Sequence, residues 1–371
     1  MKRVVLCVLF MVALSLCCFA AGTDEKAVEP MKEGGEVVAD KWWPFPVNDS
    51  KDGKVEQFQY EPLEGKASKK YNIVALIPHM KDKTWLACNY GLIKEAERQG
   101  VKLTILQAGG YENLSVQLSQ YDDAIAMGAD AILVGVISEG GMSKKVQEGA
   151  DKGIIQISMI NPVYESPFTA SVYCDSLTMG NVAGQVAVDY FGDKPEVRTV
   201  ILPGPQGSGW AEKFSGGFQD VVKKTGRFII LDENFADTSK SVQLRLVEDS
   251  LQSYENIDLF FGNTPMCEVA INVLKEAGLA GKTNILAAYA NEDIINGIKN
   301  NDIIGCVVEH CVAQARIAID LAVRELEGKQ FSGRGKILQV VPVGVTSANV
   351  ATIDLSGTFA PASYKPVYVV N

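Results

Sequence analysis

Histidine is almost missing from this 371-residue chain: only His79 and His310 occur, and neither sits at helical or finger-type spacing from a cysteine. Zinc chemistry is therefore not expected. A basic excess is missing too. With 35 Lys and Arg against 45 Asp and Glu the formal net charge is −10, which lacks the basic face that nucleic acid requires and says nothing about a small ligand. Past the N-terminal stretch no apolar run is long enough to span a bilayer. The marks of an enzyme, a nucleophile held beside a base, a metal cluster or a cofactor loop, are not recognisable, and no cofactor is expected. The segment Gly204-Pro205-Gln206-Gly207-Ser208-Gly209 follows an apolar run and opens a helix. It lacks the Gly-Lys-Ser/Thr ending of a phosphate loop and the spacing of a dinucleotide fingerprint, so a glycine-rich turn beside a cleft is the expectation.

What is present begins with an address. Lys2 and Arg3 precede an apolar run from Val4 to Phe19, and Cys18, Phe19 and Ala20 offer small residues at the −3 and −1 positions that signal peptidase reads. Export to the periplasm with cleavage after Ala20 is the expectation. A lipid anchor on Cys17 or Cys18 is the rival, disfavoured by Leu16 and Cys17 as preceding residues. Removal of residues 1–20 leaves Cys88, Cys174, Cys267, Cys306 and Cys311, an odd number, so at least one thiol is free or pairs between molecules. Four of the five lie in or beside apolar elements and read as small buried hydrophobes.

The mature length calls for two domains, and 47% apolar with 22% charged residues lets both bury a core. Residues 21–70 show no sustained period and read as an extended arm. Its Trp42-Trp43-Pro44-Phe45-Pro46 needs a surface, on this protein's own body or on a partner. From Ile73 the pattern alternates strand with helix. Ile73–Ile77, Leu103–Leu106, Ala131–Val136 and Ile154–Ile157 read as buried strands, with helices over Ser115–Met127 and Met142–Lys152. Met179, Val182, Ala183, Val186, Ala187 and Tyr190 then mark an amphipathic helix behind an Asp175/Ser176 cap. A second series follows, with strands Val197–Leu202, Phe228–Leu231, Ile257–Phe261, Ile285–Ala288 and Ile303–Val308 and a helix from Pro265. After a helix over Cys311–Leu326, Lys336–Val343 and Val350–Leu355 read as strands. The expected fold is α/β, two Rossmann-like lobes of parallel sheet with flanking helices joined by a multi-strand hinge. Lobe one takes 71–174 with 309–343, lobe two 175–308 with 344–358, and 359–371 is a C-terminal tail.

Parallel strands present their carboxyl ends on one side, so polar and aromatic residues just past each strand converge on the cleft. The candidates are Asp82, Trp85, Ser138, Asn161, Ser176, Trp210, Asn263, Tyr289 and Glu309. The aromatics Trp85, Trp210 and Tyr289 with the Glu309 carboxylate suit a cationic or methylated head group, or a sugar stacked on a ring.

Several stretches, in order along the chain, carry a family likeness: Lys81-Asp82 with Trp85, Asn89-Tyr90-Gly91, Ala108-Gly109-Gly110-Tyr111, Met179-Gly180, Gly204-Pro205 and Lys365-Pro366-Val367-Tyr368. Over nearly all the mature chain the sequence resembles the type I periplasmic binding proteins, the ribose-binding class. Within it the likeness is to the branch that serves a membrane sensor histidine kinase in trimethylamine N-oxide signalling. The resemblance implies a non-enzymatic protein that closes on a small ligand by hinge motion and reports it to such a kinase. The substrate-binding component of a sugar ABC importer, docking on a permease, is the alternative. It also implies an aromatic box for the trimethylammonium group, to which Trp85 and Tyr289 correspond. Glu309 stands for an aspartate, Thr84 and Ser176 for aromatics, and Trp210 for a glycine. The expected pocket therefore does not reproduce that box.

Overall fold

The computed structural model describes residues 42–371 except 52, 53, 164, 165, 332 and 333. The expectations for the signal peptide and for the arm before Trp42 lie outside the described residues. In chain order the elements are β1 (Phe45–Lys51), β2 (Lys54–Tyr60), β3 (Asn72–Ile77), α1 (Lys83–Gln99), β4 (Lys102–Gln107), α2 (Leu114–Ala126), β5 (Ala131–Val134), α3 (Glu139–Asp151), β6 (Ile155–Ile160) and β7 (Ala170–Cys174). There follow α4 (Ser176–Phe191), β8 (Val197–Leu202), α5 (Trp210–Val222), β9 (Phe228–Glu233), α6 (Lys240–Ser253), β10 (Leu259–Gly262), α7 (Thr264–Glu276), β11 (Asn284–Ala287), α8 (Glu292–Lys299) and β12 (Gly305–Val308). The chain ends with α9 (Cys311–Glu327), β13 (Ile337–Val340), β14 (Val343–Thr346) and β15 (Val369–Val370).

Two sheets result. The first has nine strands in the order β15-β4-β3-β5-β6-β7-β13-β1-β2, and the second six in the order β14-β12-β11-β10-β8-β9. The centre of each is parallel, and β15, β1, β2 and β14 add antiparallel edges. All four residues of β5, Ala-Ile-Leu-Val, are buried, without the alternation of a half-exposed strand, because helices cover both faces. The helices start where polar caps stand. Asp82 accepts from the Trp85 N–H at 3.0 Å to open α1, which stops at Gly100 in the left-handed conformation. Asp175 does the same for α4, accepting from the Thr178 N–H at 2.9 Å. Helices α4 and α5 touch backbone to backbone, since a Cβ on Gly180 would overlap the Phe214 carbonyl and one on Gly217 the Leu177 carbonyl.

The chain leaves the first sheet after β7 at Asp175 and returns from β12 through Glu309 and His310 into α9. It leaves again between β13 and β14, then comes back along the tail to pair β15 with β4. Helix α9 is buried from Cys311 to Arg324 and carries charges inward. Its Asp320 accepts from the Leu63 N–H at 2.8 Å, Gln99 at 2.8 Å, Arg324 at 2.7 Å and the Tyr60 hydroxyl. Glu95 on α1 accepts from Gln99, Arg98 and the Trp42 indole, and lies 3.5 Å from Arg316.

Some expectations change. From Phe45 the arm is a β1–β2 hairpin on the sheet edge, and both tryptophans pack on this body: Trp42 stacks on Tyr60 and Trp43 sits beside Arg98. Val350–Leu355 is turn rather than strand, held by Asn349 side-chain and backbone bonds back to Gly344 and Thr346. All five cysteines are free and buried.

Candidate functional site

At the carboxyl ends of the two sheets twelve side chains line one cavity. The turn after β3 and the start of α1 bring Asp82, Thr84 and Trp85; the turn after β4 brings Tyr111; β6 ends in Ile160, and Asn161 follows it. Ser176 opens α4, α5 presents Trp210 and Phe214, and Thr238, Tyr289 and Glu309 follow β9, β11 and β12. Ile160 has φ +64°, uncommon for a β-branched residue, at the point where β6 turns into the wall.

The aromatics form a connected wall. Tyr111 lies 5.7 Å from Trp210 between ring centres, bridging the two sides of the cleft. Trp210 meets Tyr289 edge-on at 6.2 Å and Phe214 at 5.6 Å, while Phe214 and Tyr289 stack at 5.9 Å. Each tryptophan ring lies against a glycine at a strand end, Trp85 on Gly135 and Trp210 on Gly204, and a Cβ at either glycine would overlap the ring. Tyr111 is held by Asn161, whose Nδ2 donates to its hydroxyl at 3.0 Å and to the Val136 carbonyl at 2.8 Å.

Two carboxyls share the wall. Burial pushes Glu309 up to about 7, against the Cys311 thiol bond that lowers it, and the nearby Asp82 charge adds to the rise. Burial also raises Asp82, opposed by His79 and by the Trp85 and Thr84 backbone N–H groups. His79 itself is lowered by burial, and its Nε2 stands 3.9 Å from Asp82. No Lys, Arg or His is among the lining residues described. An aromatic wall with carboxyls and no cation can hold an ammonium-like group.

Seven sequence candidates meet here: Asp82, Trp85, Asn161, Ser176, Trp210, Tyr289 and Glu309. Two do not. Ser138 caps α3, its Oγ accepting from the Gly141 N–H at 3.3 Å. Asn263 is fully buried, accepting from the Met266 N–H at 2.9 Å to cap α7 and donating to Leu202 at 3.0 Å. Their side chains are spent on backbone. Thr84, Tyr111, Ile160, Phe214 and Thr238 line the cavity but are not among the sequence candidates. Tyr111 was within reach of the same rule, being an aromatic just past a strand. Phe214 lies a helical turn beyond Trp210, where no strand-end rule looks.

The glycine-rich loop is no phosphate cradle. Glu212 accepts from both the Gly207 and Gly209 N–H groups, so the donors an anion would need are occupied by a carboxylate. His310 meets the tail, with Nδ1 2.8 Å from the Thr358 hydroxyl, and Phe45 edge-on at 5.2 Å.

Periplasmic protein TorT of Escherichia coli K12 is 27% identical over 305 residues, covering 82% of this chain and 86% of that protein. The ribose import binding protein RbsB of Bacillus subtilis is 21% identical, covering 73% and 86%. Among solved structures, an ABC transporter solute binding protein from Bradyrhizobium sp. BTAi1 with bound Bis-Tris has 38% identity and a TM-score of 0.74, covering 88% of this chain and 99% of that one. TorT in the TorS sensor domain complex with TMAO has 25% identity and a TM-score of 0.71, covering 81% and 100%. The model of the periplasmic binding protein domain matches residues 73–330, and the chain belongs to that family.

Proposed function

We propose that this is an exported periplasmic solute-binding protein. Its two lobes, 71–174 with 309–343 and 175–308 with 344–358, close by hinge motion on a methylated amine or N-oxide, and the closed form signals to a TorS-like sensor histidine kinase. The observation that carries the ligand class is the wall itself: Trp85, Tyr111, Trp210 and Tyr289 surround a cavity whose described lining also holds Asp82 and Glu309 and no cationic side chain. Such faces attract a cation, and more strongly when water is excluded. Two relatives support the reading: TorT, solved with TMAO and the TorS sensor domain, and the Bradyrhizobium protein, solved with a tertiary amine, Bis-Tris. Thr84 and Ser176 stand where the resemblance places aromatic walls, so the pocket does not reproduce the trimethylamine N-oxide box and holds that ligand more weakly unless Trp210 replaces one of the lost walls. A ligand drives closure only by binding the closed form better.

The second reading, the substrate-binding component of a sugar ABC importer, is favoured by the 38% identical relative described as an ABC transporter protein. Mass spectrometry of ligand released from protein purified from its host, with size-exclusion co-elution against the host's kinase sensor domain, separates the two. An amine or N-oxide with co-elution upholds the first reading. A released sugar and no complex would replace it with the second.

A further inference from the structure

Two neutral hydrogen-bonding groups in the cavity lining have no hydrogen-bond partner among the described residues. Trp210 is only 6% exposed, and its indole Nε1 has no acceptor among the described residues. The Tyr111 hydroxyl lies near both indoles but already accepts from Asn161, and it does not reach hydrogen-bond geometry with Trp210. In the same lining, the Thr84 Oγ1 is likewise buried and without a partner among the described residues. Folded proteins satisfy nearly all such groups, so two lining one cavity mark where a ligand atom belongs. The Trp210 ring cannot turn away to find a partner elsewhere. Gly204 backs it, and Phe214 and Tyr289 grip its edges.

The sign of the missing partner follows from its neighbours. Asp82 and Glu309 share the wall, and among the described lining residues no cationic side chain balances them. A ligand carboxylate would face two carboxyls, a like-charge arrangement that disfavours binding. A neutral oxygen meets no such repulsion. We propose that the ligand is a compact tertiary or quaternary amine bearing a hydroxyl: its cationic centre lies against Trp85 and Tyr289 beside Asp82 and Glu309, and its oxygen bonds Trp210 Nε1 and Thr84 Oγ1. This rests on the amine reading above and narrows it to amino alcohols over carboxylated betaines. Trp210 is then a specificity residue rather than only an apolar wall.

The test uses choline, tetramethylammonium and glycine betaine as probes, titrated calorimetrically into the full mature chain and into Trp210→Phe and Thr84→Val. The first substitution keeps a ring and deletes the N–H; the second keeps the shape and deletes the hydroxyl. Wild type is expected to bind choline at least about three- to tenfold more tightly than tetramethylammonium, the advantage of one neutral hydrogen bond, with the second adding to it. Glycine betaine is expected to be the weakest. In each variant the ratio of choline to tetramethylammonium affinity falls toward one, whatever happens to both affinities together. An unchanged ratio in Trp210→Phe overturns the proposal, as does betaine binding above choline. If tetramethylammonium binds and choline has no advantage, this inference fails and the amine reading stands. If none of the three binds, both fail.

Discussion

Glu309 makes the site pH-dependent in a direction that can be worked out. The carboxyl follows β12 and is 8% exposed, and burial lifts it to about 7 from the ordinary 4.5. A cation beside it favours the ionised form, so binding expels the proton that Glu309 holds when the site is empty. A probe of fixed charge, such as choline, removes titration of the ligand itself. At pH 8 nearly all Glu309 is already ionised; at pH 6 roughly a tenth is, and affinity falls about tenfold, or ~1.4 kcal/mol. Asp82, raised by burial, works in the same sense. His79 is held toward its neutral form by burial, against the pull of the Asp82 charge. Tyr111 and Tyr289 are pushed upward and remain neutral. Calorimetry at pH 7 in two buffers of different ionisation enthalpy should show proton release on binding, and Glu309→Gln should flatten the profile between pH 6 and 8. Without ligand the same group stabilises the fold most below about 4.5, and that contribution is lost as pH rises through about 7. Affinity that is flat, or that rises toward acid in wild type, would refute the reasoning.

Trp85→Ala removes a desolvated face, worth about 2 kcal/mol for a bound cation, and should weaken choline roughly thirtyfold by titration; unimpaired binding would remove Trp85 from the site. Gly180→Ala drives a Cβ into the Phe214 carbonyl and should lower the urea midpoint by about 1–3 kcal/mol equivalent with the slope unchanged. Asp320→Ala strips four donors of their acceptor and leaves Arg324 without its buried partner, a cost of about 3–5 kcal/mol by chemical denaturation. A loss under 1 kcal/mol there would show that the network adds little to stability.

How much of this was legible in the sequence depends on whether local chemistry or distant packing decides the outcome. The buried strands at Ile73, Ala131 and Val197 announce themselves, because a strand covered on both faces must be apolar throughout. Asp175 announces its helix because a cap needs its own oxygen. The hairpin of β1 and β2 does not, since the side chains of β2 before Tyr60 are mostly exposed and its register is set by pairing with β1. For the same reason β15 has no signal of its own; its place is fixed by β4 and by Asn89, which holds Val367 through both its N–H and its carbonyl. In the site, the rule that residues past a parallel strand face the cleft finds both carboxyls and three of the wall's aromatics. It fails at Ser138 and Asn263 because the same position also opens a helix, and a short polar side chain there bonds the nearest backbone N–H before it can reach a ligand. Asp82 meets both demands, capping α1 with one oxygen while its carboxyl still lines the cavity. A tryptophan at the same kind of position cannot cap, so its ring has only the cleft to fill. Aromatics after strands are therefore the stronger signal in this fold, and Tyr111 is the residue that a more even application of that reasoning would have added.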